Sequence, residues 1–157
     1  MISFRQKSYG LFLKIGANYH FPKFDIGVNV NLPYIELYED GRFSYSAVVA
    51  GVNWVASNHT GATTAVANMS LGATNGYSAS LEAAVLALEA DGVSVVVAAG
   101  NDAAYIDVDN YATPACTAGT ISVGAMRRDN QEAEFSNYGD CVNIMAPGYY
   151  IKSAWPF

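Results

Sequence analysis

Val93 to Ala99 (VSVVVAA) carries no charge and is bounded by Gly92 and Gly100. Most of its residues are β-branched, and it shows none of the alternation expected of a strand with one wet face. Such a run predicts a strand buried on both faces, as in a parallel sheet covered by helices. That single segment narrows the fold class more than any other part of the chain.

The neighbouring segments agree with it. Residues 44–57 (SYSAVVAGVNWVAS) predict a helix, with Val48, Val52 and Val55 on one stripe and Ser44 or Ser46 as cap. Ala65 to Leu71 predicts a buried strand ending at Gly72. Residues 78–91 predict a second helix, capped by Ser78 or Ser80, with Leu81, Val85 and Leu88 on one face and Gly92 as its stop. Residues 120–125 (TISVGA) and Val142 to Met145 predict two further strands, the latter closed by Ala146-Pro147-Gly148. This alternation predicts an α/β fold with a mostly parallel sheet. Residues 1–34 are different: they are aromatic, weakly periodic and broken by Pro22 and Pro33.

The 157 residues suffice for one domain with a core, and a composition 52% hydrophobic and 14% charged is globular. A net charge of −6 without any Lys/Arg run argues against a nucleic-acid partner. No apolar run approaches a membrane span, which argues against a membrane partner. The first 15 residues are too broken for a clear signal peptide. Cys116 and Cys141 have no zinc spacing with the two histidines. Two buried thiols are the preferred expectation for them, and one disulfide in an oxidising compartment is the alternative.

In open α/β sheets, ligands bind beyond the carboxyl ends of the strands. Ser70-Leu71-Gly72 and Gly100-Asn101 both stand at such ends. Glycine at position 72 lets a ligand backbone approach closely, and the Asn101 amide could donate to a developing oxyanion. From pattern alone, a plain strand end and an ordinary Gly-Asn-Asp turn are the preferred readings. His20 and His59 are expected to be surface residues. Asn58-His59-Thr60 and Asn68-Met69-Ser70 are glycosylation sequons, the second expected to be unused because it falls in a buried strand.

Several motifs occurring in order are more specific. VVVAAGND (95–102), Tyr111-Ala112-Thr113-Pro114-Ala115, FSNYGDCVNIMAPG (135–148) and Ile151-Lys152-Ser153-Ala154-Trp155 resemble subtilisin-like serine peptidases, and their proteinase K and aqualysin branch most closely. Met69-Ser70-Leu71-Gly72 and the stretch Gly41 to Trp54 extend the resemblance upstream. It implies the three-layer subtilisin-like α/β fold, in incomplete form. It also implies an unmatched segment over 1–26, a partial peptidase domain over 27–157, an extended polypeptide as substrate and an extracellular setting.

The resemblance gives Asn101 the oxyanion-hole role. Ser70, Leu71 and Gly72 become a strand pairing with the substrate backbone and lining the S1 pocket. Ala98, Ala99 and Gly100 become that pocket's opposite wall. Gly41, Arg42 and Phe43 become the second substrate-pairing strand, although the family usually has small residues where Arg42 and Phe43 stand. Tyr45 matches an aromatic residue of the S4 pocket. No cofactor is needed for the chemistry. A structural calcium is implied at Ala118, Thr120 and Asn143, weakened because Asn143 stands where the family has a carboxylate.

The family's triad motifs find no match. Asp25-Ile26-Gly27 lacks the context of the family's catalytic aspartate, no H-G-T-H occurs, and no G-T-S-M-A occurs. Without nucleophile, base and orienter within reach of one another, hydrolysis is not expected of this chain alone. A triad-less peptide-binding pseudoprotease or a decayed gene product is the alternative. The isolated chain is expected to be poorly folded or oligomeric.

Overall fold

The computed structural model describes residues 45–59 and 64–152, together with the backbone of four strands before them. Those are β1 (Gly10–Leu11), β2 (Lys14–Phe21), β3 (Phe24–Asn31) and β4 (Ile35–Glu36). Then follow α1 (Tyr45–Asn58), β5 (Ala65–Met69), α2 (Ala79–Ala90), β6 (Val93–Ala98), β7 (Ile121–Met126) and β8 (Ile144–Pro147). The chain divides into two compact units, one of residues 1–68 and 78–94, the other of 69–77 and 95–157.

In the first unit, β2 and β3 form an antiparallel hairpin, and β2 also pairs antiparallel with β5. This hairpin was not expected, because the periodicity of residues 1–34 is weak. The signal was nevertheless present. Ile15, Ala17, Tyr19 and Phe21 alternate with polar or small residues, as do Ile26, Val28 and Val30. The register sets Ile15 opposite Val30, Ala17 opposite Val28, Tyr19 opposite Ile26, and Phe21 opposite Phe24.

Helices α1 and α2 pack together in the same unit, burying Val48, Val52 and Val55 from one and Leu81, Ala84, Val85 and Leu88 from the other. Each fully buried Val or Leu side chain contributes roughly 1.5–3 kcal/mol. Ser78 caps α2 as expected, its hydroxyl accepting from the Leu81 N–H at 3.3 Å. Gly92, at a φ of +87°, follows the helix in the left-handed conformation that glycine tolerates best. His59 is not a surface residue. Its side chain is 8% exposed, and Nδ1 lies 2.6 Å from the Asp91 carboxylate, joining the ends of the two helices.

In the second unit, β6, β7 and β8 are parallel, with Val97 opposite Ser122 and Gly124 opposite Met145. Burial along β6 corrects the expectation of a strand enclosed on both faces, and β5, expected as a buried strand, is buried on one face only. Ala65, Ala67 and Met69 are buried while Val66 and Asn68 are exposed. Val93, Val95 and Val97 are buried while Ser94 is exposed and Val96 half-buried. The Asn68 sequon is therefore not in a buried strand position, since Asn68 and Ser70 are both exposed. β8 begins two residues later than expected and includes Ala146 and Pro147.

Cys116 and Cys141 form a disulfide across 25 residues of chain, with Cα atoms 4.9 Å apart. The preferred expectation of two buried thiols is thus overturned. Both positions are half-buried rather than buried, and the Cα separation lies in the range a disulfide requires.

Candidate functional site

The site lies wholly within the second unit. β6 runs into Gly100 and Asn101 beyond its carboxyl end, and the chain after β5 supplies Ser70, Leu71 and Gly72. Immediately after Gly72 the backbone is pinned. The Ala73 N–H donates to Thr113 O at 2.9 Å, the Thr113 N–H returns a bond to Ala73 O at 3.0 Å, and the Gly76 N–H reaches Tyr111 O at 3.1 Å. Gly72 passes so close to this neighbour that a Cβ there would stand 3.3 Å from Thr113 O.

One cavity of about 240 Å³ opens between these segments. Ser70, Leu71 and Gly72 line it, as do Ala98, Ala99, Gly100 and Asn101. Seven of the residues singled out in the sequence are thus brought together, in two stretches some 30 residues apart. Leu71 and Ala99 are buried, whereas Ser70, Gly72 and Asn101 are exposed. Small side chains on the second wall leave space for an occupant larger than themselves. Tyr45 opens α1 in the first unit and is half-buried. Gly41, Arg42 and Phe43 lie outside the described residues.

Sequence reasoning missed a network at the cavity, in which Asn137 bonds to Thr74 and Asp102 of the lining. Asn137 is fully buried, and its Oδ1 accepts from the Asp102 and Ala104 N–H groups at 3.0 and 3.1 Å. Its Nδ2 donates to Ala99 O at 2.9 Å and to the Thr74 hydroxyl at 2.8 Å. The Thr74 hydroxyl in turn donates to the Asp102 carboxylate at 2.5 Å. Asn137 stands in the FSNYG run, but nothing local marks it as buried, because its partners are 33 to 63 residues away.

Ala118, Thr120 and Asn143 line a second cavity, of about 520 Å³. As a cation site, the trio's own donor set is poor, although Asp107, Asp109 and Asp140 line the same cavity. Two carbonyls and one amide oxygen bring no charge, and Asn143 Oδ1 already accepts from the Ser122 N–H at 2.7 Å. The trio shares one cavity but brings no charge to a hard cation. Among the described residues, no group of three or more His, Cys, Asp or Glu side chains is arranged to hold a metal ion. Beside this cavity, a hydrogen bond to Asp140 raises the Tyr105 phenol above its ordinary pKa, with burial and the charges of Asp140 and Asp107 adding to the effect.

Comparison with known proteins bears on the family and the fold. Residues 15–155 match the model of the subtilase family, Peptidase_S8. The alkaline serine exoprotease A of Vibrio alginolyticus is 44% identical over 133 residues, which are 84% of this chain and 24% of that protein. The extracellular serine proteinase of Thermus sp. (strain Rt41A) is 47% identical over 116 residues, 74% of this chain and 27% of that protein. The chain thus spans about a quarter of the length of these relatives. Among solved structures, a cold-adapted subtilisin-like serine proteinase superposes with a TM-score of 0.66 at 43% identity, covering 76% of this chain and 41% of that one. The α/β elements, the ordered motifs and a family match over residues 15–155 lead to one conclusion: this chain belongs to the subtilase family and has its subtilisin-like fold.

Proposed function

We propose that the chain supplies the substrate-binding and oxyanion-hole portion of a serine endopeptidase, and that it does not hydrolyse peptides by itself. The observation carrying this reading is the single cavity between Ser70–Gly72 and Ala98–Asn101. An extended polypeptide would pair its backbone with the edge at Ser70–Gly72, by strand addition. Its side chain would enter the cavity, whose Ala and Gly wall suits a bulky apolar group. Asn101 Nδ2 would donate to the carbonyl oxygen as negative charge develops there, a contribution worth about 2.7–4 kcal/mol in acyl transfer. None of the H-G-T-H or G-T-S-M-A motif is present among the 157 residues, so general base and nucleophile would have to come from elsewhere. The disulfide, and the name of the Thermus relative, support an oxidising extracellular setting.

The test uses the purified chain with a tetrapeptide ending in an aromatic residue, as its nitroanilide and as its amide, together with a fluorophosphonate probe. The expected outcome is saturable binding of the amide, with no nitroaniline release and no covalent labelling. Labelling would overturn the inactivity. Absence of binding would overturn the peptide site and leave a decayed gene product as the better reading.

A structural calcium at Ala118, Thr120 and Asn143 forms part of the proposal, held weakly for want of charge. Asn143→Asp would keep an acceptor for the Ser122 N–H and add the missing charge. The variant is expected to gain more thermal stability from added calcium than the parent does. Equal shifts in both, read by calorimetry with and without chelator, would remove calcium from this site.

A further inference from the structure

The loop carrying Asn101 is held by two side chains from outside it, Asn137 and Thr74, and Thr74 lines the cavity just beyond Ser70–Gly72. Proton directions in this network follow from the chemistry of the groups. A carboxylate oxygen accepts, so the single hydroxyl proton of Thr74 goes to Asp102 Oδ2. The Thr74 oxygen must then accept, and its donor is Asn137 Nδ2. The other Nδ2 proton goes to Ala99 O, which leaves Oδ1 facing the two backbone N–H groups of Asp102 and Ala104. No other side chain offers two donors and a two-fold acceptor at this reach. The Asn137 backbone N–H adds a bond to Gly100 O at 3.1 Å.

Residues 99, 100, 102 and 104 are therefore all bonded to Asn137, on both sides of Asn101, while the Asn101 side chain stays exposed at the cavity. Thr74 lies two residues beyond Gly72, on the stretch pinned to Thr113 and Tyr111. Its hydroxyl joins that stretch to the loop through Asp102. We propose that Thr74 and Asn137 are positioning residues: together they clip the loop that presents Asn101 to the stretch that follows Ser70–Gly72, and so fix the two walls of the cavity against each other. The purpose of the clip rests on the peptidase reading above. Its existence does not.

The experiment compares the full chain with Thr74→Val and Thr74→Ser, using amide hydrogen exchange and binding of the tetrapeptide amide. Valine keeps the shape of Thr74 and removes its hydroxyl, whereas serine keeps the hydroxyl. In Thr74→Val, exchange at Asp102 and Ala104 is expected to quicken by about tenfold, as a local opening, while Val95 and Val97 in β6 keep their protection. Peptide affinity is expected to fall several-fold in the same variant. Both readouts are expected to return to parental values in Thr74→Ser. Unchanged exchange at Asp102 and Ala104 in Thr74→Val would overturn the proposal. So would equal quickening in β6, which marks general destabilisation, or failure of serine to restore the loop. A parent chain with the expected exchange response but no peptide affinity would uphold the clip and sink the peptidase reading.

Discussion

At Gly100 the backbone φ is +114°, and a Cβ built there would collide with the Asn137 amide. Gly100→Ala therefore meets two obstacles at once, backbone strain and the loss of a satisfied buried amide. The expected destabilisation is about 2–4 kcal/mol by chemical denaturation, with loss of peptide binding. A variant as stable as the parent would show that the loop relaxes freely. Tyr105 gives a second residue-scale prediction. Its raised folded pKa means that the folded chain holds the phenolic proton to higher pH than the unfolded chain does. Stability from this group is present below about pH 10 and is lost as pH rises through the folded value. Tyr105→Phe should remove that alkaline loss, read as the pH dependence of the unfolding midpoint. At this scale the sequence reveals residues at strand ends, such as Asn101 and Gly72, because position along the chain implies position in the sheet. It does not reveal Asn137, Thr74 or the His59–Asp91 contact, because each depends on a partner at least 32 residues away.

The elements on either side of the disulfide are tied by a loop of 25 residues. Closing a loop of that length restricts the unfolded chain enough to stabilise the fold by about 3 kcal/mol. The double variant Cys116→Ser, Cys141→Ser is expected to lose roughly that amount in calorimetry. A much smaller loss would mean that the region is held mainly by its hydrogen bonds, such as Cys141 N–H to Ile106 O at 3.2 Å. Element by element, α1, α2 and the parallel strands were legible because a helical stripe or an apolar run announces each one. The degree of burial of β5 and β6 was not, since an apolar run does not disclose whether its second face is covered. The β2–β3 hairpin was legible in its period-two alternation, but a window dominated by aromatic and proline residues obscured it.

For the whole molecule, the question is how much apolar surface the described residues leave in water. Trp54, Val66 and Leu86 of the first unit are each more than 40% exposed, as are Ile121 and Ile144 of the second. β8 is an outer strand, paired with β7 on one side and with no strand on the other among the described residues. Its burial is slight, with Ile144 54% exposed. A bare strand edge beside exposed apolar side chains is a template for pairing with another copy. The parallel β6–β8 arrangement was legible in the sequence, but which side chains remain uncovered was not, because that depends on everything packed around the sheet. The chain spans about a quarter of the length of these relatives. The isolated chain is accordingly expected to self-associate, eluting above monomer mass in light-scattering chromatography and binding a hydrophobic dye. Ile144→Lys places a charge on the outer strand and should reduce both signals without altering the disulfide. A chain that remains monomeric, binds no dye and unfolds in one cooperative step would show that these faces are tolerated in water, and would make a free-standing peptide-binding module the stronger reading of this molecule.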